Sequence, residues 1–199
     1  MSDEEINQIL GMLQETVPEV RSQEKPNHVK RVTAYTLAIC RAMGIPRREI
    51  EAIARGAYLH DIGKMAIPVT LLIKPGPLTP EETATMREHC ARGYSMVNKI
   101  PMLQGVPAEI VHSHHENYDG TGYPRGLKGN EIPLGARIVA VANTLDSITM
   151  NLPYRPARTR DDARAEIKLW SGRQFDPDVV NVFLSMPDAI WPQLVESLH

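Results

Sequence analysis

Apolar residues recur every three or four positions along most of this chain, and no stretch alternates as a half-buried strand would. One segment is apolar on several sides: the run that Pro133 opens and that continues to Ile148, in which Asn143 and Asp146 are polar exceptions. A helix of that kind lies at the centre of a domain. The pattern therefore predicts an all-α fold around a buried central helix.

Local start and stop signals divide the pattern into separate helices. Thr79 can cap a helix that has Pro80 first and Glu82 third, which predicts a helix from there to about Val97 with His89 midway. Asn27 as N-cap and Gly44 as terminator bound a helix from His28 to about Met43, and 66–77 is predicted to be a loop. The other predicted helices are one after Ser2, one from near Pro46 to Leu59, Ala108 to about Glu116, Arg160–Trp170, Pro177–Met186 with Asp176 as its cap, and Asp188–Leu198.

Composition narrows the class of protein. The 199 residues suffice for one domain with a small extension, and a formal net charge of −2 favours neither nucleic acid nor a membrane surface as partner. No run of 18 apolar residues occurs and residues 1–20 lack a signal-peptide pattern, so a soluble, cytoplasmic protein is expected. Cys40 and Cys90 form no CxxC pair. Neither a disulfide framework nor a thiolate metal site is predicted, and Cys90 is interpreted as a small core residue.

Histidines and carboxylates concentrate in HSHHENYDGTGYP at positions 112–124. Such groups are costly to bury without partners, and a metal ion can satisfy several of them at once. Further candidates lie upstream at intervals of about 25 to 32 residues, which suits antiparallel helices that return to one depth of a bundle. The candidate ligands, all nitrogen or oxygen donors, are Glu24, His28, His60, Asp61, His89, His114 and His115. His112 and His199 do not fit this spacing.

At these residues the sequence resembles the HD-GYP domain, a branch of the HD superfamily of metal-dependent phosphohydrolases. His60 and Asp61 stand within LHDIGK, and Tyr123 stands within HHENYDGTGYPRGLKGNEIP. The blocks KPGPLTPEE, PLGARIVAVAN, PYRPA and FDPDVV occur with them in order, so the resemblance runs from about Glu24 to Phe183. It implies an HD-domain helical bundle over 24–186, with a short helical extension at 1–23 and a helical tail at 187–199.

The resemblance also implies hydrolysis of the bacterial second messenger cyclic di-GMP, to linear pGpG or onward to GMP. It implies two or three divalent ions, often iron or manganese, and it assigns all seven candidate ligands to metal-binding positions. Asp61, the bridging ligand, and Lys64, near the scissile phosphate, are the implied catalytic residues. Lys64, Tyr123 and Arg155 match substrate-contacting positions. The protein partners expected are a diguanylate cyclase or other signalling protein, or a second copy of this chain.

Two positions depart from the family pattern. Asn143 stands where an aspartate metal ligand is usual, and Leu152 stands where an arginine for the substrate phosphate is usual. Asn143 can still coordinate through its carbonyl oxygen and stays among the candidate ligands, but it removes one negative charge. The sequence therefore leaves open a degenerate domain that binds cyclic di-GMP or a partner with little or no turnover. A phosphohydrolase that acts on another nucleotide is also left open.

Each substrate-contacting residue has a purely structural alternative as well. Tyr123 can pack its ring beneath the loop, and Lys64 can cap the helix that ends at His60. Arg155 can pair with either of the aspartates that follow it at positions 161 and 162.

Overall fold

The computed structural model describes residues 27–151 and 156–196. Secondary structure within these ranges is helical, which confirms the predicted all-α fold. The helices are α1 (His28–Ala42), α2 (Arg47–Leu59), α3 (Val69–Leu72), α4 (Pro80–Arg87), α5 (His89–Val97), α6 (Val106–Ser113), α7 (Leu134–Thr149), α8 (Arg160–Leu169), α9 (Pro177–Ser185) and α10 (Ile190–Glu196). Short 3₁₀ turns occupy Ile62–Ala66, Pro101–Leu103 and Gly129–Glu131.

Several predictions concern positions outside the described ranges. These are the helix at 1–23 and the residues Glu24, Leu152 and Arg155. The domain boundaries at 24–186 and 187–199 stay predictions as well.

Helix α7 is the central helix that its apolar sequence predicts. It packs against α1, α6 and α8, and Val139, Val141 and Ala142 on it are fully buried. Helix α10 packs against α1, where the Trp191 ring meets the Tyr35 ring edge-on at 5.6 Å. Because α7 is enclosed, the polar residues it carries must find partners within the fold. Among the described residues, none of the helices has both the length and the apolar character needed to cross a membrane.

Local signals located several helix ends correctly. Thr79 forms the predicted capping box with Glu82, and the Asp176 side chain accepts from the backbone of Asp178 at 2.8 Å. Gly44 takes a left-handed conformation with φ 71° just after α1, as a terminating glycine does.

Two local predictions are wrong, and one is confirmed only in part. The helix predicted from Thr79 to Val97 is two helices, with a break at Glu88, where the backbone N–H bonds three rather than four residues back. Asn27 occupies the predicted N-cap position of α1, but with φ 67° and without a side-chain cap hydrogen bond. The predicted loop at 66–77 contains the short helix α3. At the break, the Nδ1 atom of the His89 ring donates to the Met86 carbonyl at 2.7 Å.

A close approach of backbones positions the 3₁₀ turn Ile62–Ala66 against α5. A Cβ on Gly63 would lie 1.9 Å from the His89 carbonyl oxygen, so no side chain fits there. Gly93, one turn along α5, faces the same turn, and a Cβ on it would lie 3.1 Å from the Gly63 nitrogen. This contact places the residues on either side of Gly63 directly beside His89.

Candidate metal centre

Helix ends bring the predicted histidines into two neighbouring groups of metal-ligand atoms. Within each group all ligand atoms lie within 4.8 Å of one another. The first group is His28, His60 and Asp61, and the second is His89, Cys90, His114 and His115. Rings of the two groups touch: His60 and His114 meet edge-on, with centroids 5.1 Å apart. The histidines chosen from sequence spacing therefore lie at one depth of the bundle.

Asp61 lies between the two groups. Its Oδ2 is 3.1 Å from His60 Nε2, and its Oδ1 is 3.2 Å from His89 Nε2 and 3.6 Å from His114 Nε2. Lys64 is 2.7 Å from Oδ2. Burial alone would raise the pKa of Asp61, but Lys64 and His60 hold that pKa well below its ordinary value. The carboxylate is thus ionised and offers one oxygen to each group.

Backbone carbonyls orient the rings. The Nδ1 atom of His60 donates to the Ala57 carbonyl at 2.7 Å, and that of His114 donates to the Val111 carbonyl at 3.0 Å. His89 is held in the same way by a carbonyl one turn earlier. With Nδ1 as donor, a neutral ring presents its Nε2 lone pair to the centre. Burial lowers the pKa of His114 to about 4, which keeps that imidazole neutral, the form that binds metals.

A buried carboxylate on α7 orients His28. Asp146 Oδ2 lies 2.7 Å from His28 Nδ1, and Arg31 donates to both oxygens of Asp146, at 2.5 Å from Nε and 3.0 Å from Nη2. Burial favours the neutral acid, but these hydrogen bonds lower the pKa of Asp146. Sequence reasoning noted Asp146 only as a polar exception on an apolar helix. An aspartate on a helix that is otherwise buried needs a charged or hydrogen-bonding partner, and this need is the sequence signal that could have identified Asp146 as part of the site.

The glycine-rich loop folds back over the histidine pair. Glu116 is 4% exposed, and its two oxygens accept the backbone N–H groups of Arg125 and Leu127 at 2.8 and 3.0 Å. At Gly122 a Cβ would lie 2.2 Å from the Asn117 nitrogen, so glycine is required there. Glu116 was not among the predicted site residues. It forms a cross-link within the loop and is not a member of either ligand group.

Tyr123 forms one wall of a cavity above the centre. Its ring stacks on His115 with centroids 4.8 Å apart and planes inclined by 17°, and the Arg87 guanidinium lies 4.9 Å from the ring centroid. The peptide bond between Tyr123 and Pro124 is cis. The cavity measures about 250 Å³, and Asn143 lies on its wall together with His114 and His115. Asn143, which differs from the family pattern, therefore lines the same cavity as the pair His114 and His115.

The plain structural alternatives for two residues are compatible with the geometry too. Tyr123 packs on a neighbouring ring, and Lys64 pairs with Asp61 close to the end of α2. Their roles toward a substrate stay predictions. Cys90, interpreted from sequence as a core residue, is fully buried, but its sulfur lies with the histidines.

The donor set fits divalent metal ions. Imidazole nitrogens with a carboxylate are ligands for iron, manganese or zinc, whereas magnesium prefers oxygen alone. Within the described part of the chain, the buried Asp61 Oδ1 atom has no hydrogen-bond partner. A buried carboxylate oxygen left in this way among imidazole nitrogens indicates a place for a cation.

The sequence is similar to those of known proteins. A profile of the HD domain family matches residues 12–179. The chain is 40% identical over 188 residues to a Thermotoga maritima protein named cyclic di-GMP phosphodiesterase, with 94% of this chain and 50% of that one covered. It is 37% identical over 167 residues to the 3′3′-cGAMP-specific phosphodiesterase 2 of Vibrio cholerae, covering 83% and 32%. The chain thus spans half or less of the length of these curated relatives.

The fold also matches a solved structure. An HDG"Y"P protein from Bdellovibrio bacteriovorus superposes with a TM-score of 0.68 at 20% identity, over 90% of this chain and 59% of that one. Similarity at this level of identity concerns the fold alone.

Proposed function

Because this chain belongs to the HD domain family, in its HD-GYP branch, we propose that it is a metal-dependent phosphodiesterase that hydrolyses cyclic di-GMP. The observation that carries the proposal is the position of Asp61, whose two carboxylate oxygens face two separate sets of imidazoles. A phosphodiester resists hydrolysis since its negative oxygens repel an incoming hydroxide. Asp61 and the two sets of imidazoles would hold two divalent cations, and the positive charge of those ions would offset this repulsion.

We assign the ligands from the two groups of donor atoms. Bound divalent ions supply Lewis acidity, which lowers the pKa of water and offsets the charge of the phosphodiester. We propose iron or manganese for them, with Glu24 and Asn143 as further ligands. The other proposed ligands are His28, His60 and Asp61 for one ion, and Asp61, His89, His114 and His115 for the other.

Side chains around the centre bind and orient the dinucleotide in this proposal. The Lys64 ammonium, held beside Asp61, neutralises a non-bridging phosphate oxygen. Tyr123 lines the cavity and contacts a base or a phosphate, and Arg155 binds phosphate. A water oxygen forms a bond to phosphorus, the bond from phosphorus to the 3′-oxygen breaks, and the leaving oxygen takes up a proton. One cleavage gives linear pGpG, and a second gives GMP.

The test is direct. The protein is purified under reducing conditions, its metal content is measured, and it is incubated with cyclic di-GMP and Mn²⁺ or Fe²⁺ while products are separated by chromatography. We expect linear product from the native protein and none above background from Asp61→Asn. His112→Phe is the matched control, because it keeps the ring stacked on Tyr94 at 4.5 Å and removes a histidine outside both groups. Absence of linear product with every metal would refute the proposal.

A second candidate function is binding without turnover. It is favoured by Asn143, a neutral side chain on the cavity wall beside His114 and His115. It predicts measurable binding of cyclic di-GMP by calorimetry and strong activation by Asn143→Asp. Native turnover as fast as that of the variant would eliminate this candidate. Because one relative is named for 3′3′-cGAMP, that dinucleotide belongs in the substrate panel.

We also propose a cytoplasmic location and a signalling protein partner, either a diguanylate cyclase or a second copy of the chain. The proposed substrate, an intracellular messenger, supports the location. Light scattering at several concentrations, with and without a cyclase, tests the assembly, and a strictly monomeric chain in all samples would contradict it.

A further inference from the structure

The two cysteines of the chain are both fully buried but have different neighbours. Cys40 lies among apolar side chains in the main core. Cys90 is the second residue of α5, and its sulfur lies within 4.8 Å of ligand nitrogens of His89, His114 and His115. The buried sulfur of Cys90 is therefore part of the second ligand group.

Distances within that group match those around one shared ion. For two ligands at a tetrahedral angle, with metal–nitrogen distances of about 2.05 Å and a metal–sulfur distance of about 2.3 Å, two nitrogens lie about 3.4 Å apart and nitrogen and sulfur about 3.6 Å apart. In the structure, His89 Nε2 and His114 Nε2 are 3.3 Å apart, and Cys90 Sγ is 3.5 Å from His89 Nε2. The same ring nitrogen is thus at ligand-to-ligand distance from both a nitrogen and a sulfur.

An independent observation indicates a cation at this place. Asp61 Oδ1 is buried, has no hydrogen-bond partner within the described ranges, and faces His89 Nε2 and His114 Nε2 at 3.2 and 3.6 Å. Two imidazole lone pairs and a carboxylate oxygen repel one another unless a positive charge lies between them. The cation that relieves this repulsion would lie within reach of the Cys90 sulfur.

We propose that Cys90 is a thiolate ligand of the metal ion held by His89, His114 and His115. On binding, the ion replaces the S–H proton, which passes to the solvent, and a metal–sulfur bond forms without any change of oxidation state. A sulfur donor makes this half of the centre select thiophilic ions, zinc or ferrous iron, over manganese. The inference rests on the metal centre of the proposed function, but it does not require any particular substrate.

Cobalt substitution provides the test. The full chain is loaded anaerobically with Co²⁺, and its spectrum is recorded. Visible d–d bands report that cobalt is bound, and a near-ultraviolet sulfur-to-cobalt charge-transfer band reports thiolate ligation. We expect the charge-transfer band in the native protein and in Cys40→Ala, which removes a buried thiol of the core. In Cys90→Ala we expect that band to disappear while the d–d bands shift but persist.

A measurement on the unmodified protein keeps the test independent of how the variants fold. After cadmium loading, the ¹¹³Cd resonance of a sulfur-ligated ion lies well downfield of one with only nitrogen and oxygen ligands. Native protein that binds cobalt without the charge-transfer band, or cadmium without the downfield resonance, would show that Cys90 only donates a weak hydrogen bond to His89. Failure to bind either ion would overturn the inference as well. A charge-transfer band without hydrolysis of cyclic di-GMP would instead contradict the proposed function and leave the ligand assignment intact.

Discussion

The substitution Asp146→Asn separates the role of α7 in stability from its role in the metal centre. Asp146 is 2% exposed, and both of its oxygens are used, by His28 on one side and by Arg31 through two nitrogens. Asparagine keeps the shape but has one acceptor oxygen, and its NH₂ group would face donors. Either His28 or Arg31 must therefore lose a hydrogen bond to residue 146.

The stability loss follows from Arg31, which is itself only 6% exposed. Breaking a buried ion pair by removing one partner costs about 3–5 kcal/mol, since the remaining buried charge loses a large part of its compensation. Asparagine retains one hydrogen bond, so we expect about 3 kcal/mol for Asp146→Asn. Domains have total stabilities of about 5–15 kcal/mol, so the variant should fold but with a clearly lower denaturant midpoint.

The effect on metal binding follows from His28. A carboxylate that accepts from the distal ring nitrogen of a ligand histidine typically contributes about 10–100-fold to metal affinity. We expect a loss of that size for the ion proposed at His28, and little change for the ion proposed at His89 and His114. Titration against a chromophoric chelator resolves the two, because only one of two binding steps should weaken.

Asp176→Asn is the matched control for both measurements. Asp176 is likewise 2% exposed and pairs with an arginine, Arg137, at 2.5 Å, but within residues 27–151 and 156–196 it makes no hydrogen bond to a candidate ligand. Urea unfolding of metal-free protein should show comparable losses for the two variants, and only Asp146→Asn should weaken metal binding. Equal metal affinities in the two variants would mean that Asp146 does not position His28, and the reasoning would be wrong.

Three further predictions concern packing, the loop and the metal. In Gly63→Ala the added Cβ would lie 1.9 Å from the His89 carbonyl oxygen, where there is no space for it. We expect the free energy of unfolding in urea to fall by about 3 kcal/mol or more, and an unchanged midpoint would contradict this close packing. Glu116→Gln leaves one of the two loop N–H groups without its acceptor, which should lower the free energy of unfolding by about 1–3 kcal/mol. In steady-state kinetics we expect it to raise KM for the dinucleotide more than it lowers kcat. A change in kcat alone would argue against a role of Glu116 in ordering the loop. Removing metal with a chelator should lower the thermal midpoint, because an ion at about 1,000 times its Kd stabilises the folded state by about 4 kcal/mol. Asp61→Ala should abolish that shift, and a chelator shift that persists in the variant would place the ion elsewhere.

Features that depend on neighbours in the chain could be predicted from the sequence. The capping box at Thr79, the cap at Asp176 and the terminating Gly44 are made by atoms a few residues apart, and each occurs as predicted. The apolar surface of α7 likewise determines its burial. Regular spacing of His60, His89 and the other histidines was enough to anticipate their convergence, because antiparallel helices return to the same level.

Tertiary structure alone decided which atoms meet. Helix α5 lies against the turn around Gly63, and that contact between distant segments places His89 beside the turn. The pairing of Asp146 with Arg31 joins residues 115 positions apart. The approach of Cys90 to a ring nitrogen likewise depends on side-chain direction, which periodicity does not specify. Sequence periodicity determines which face of a helix is buried, whereas the partner on that face is set by how distant segments pack.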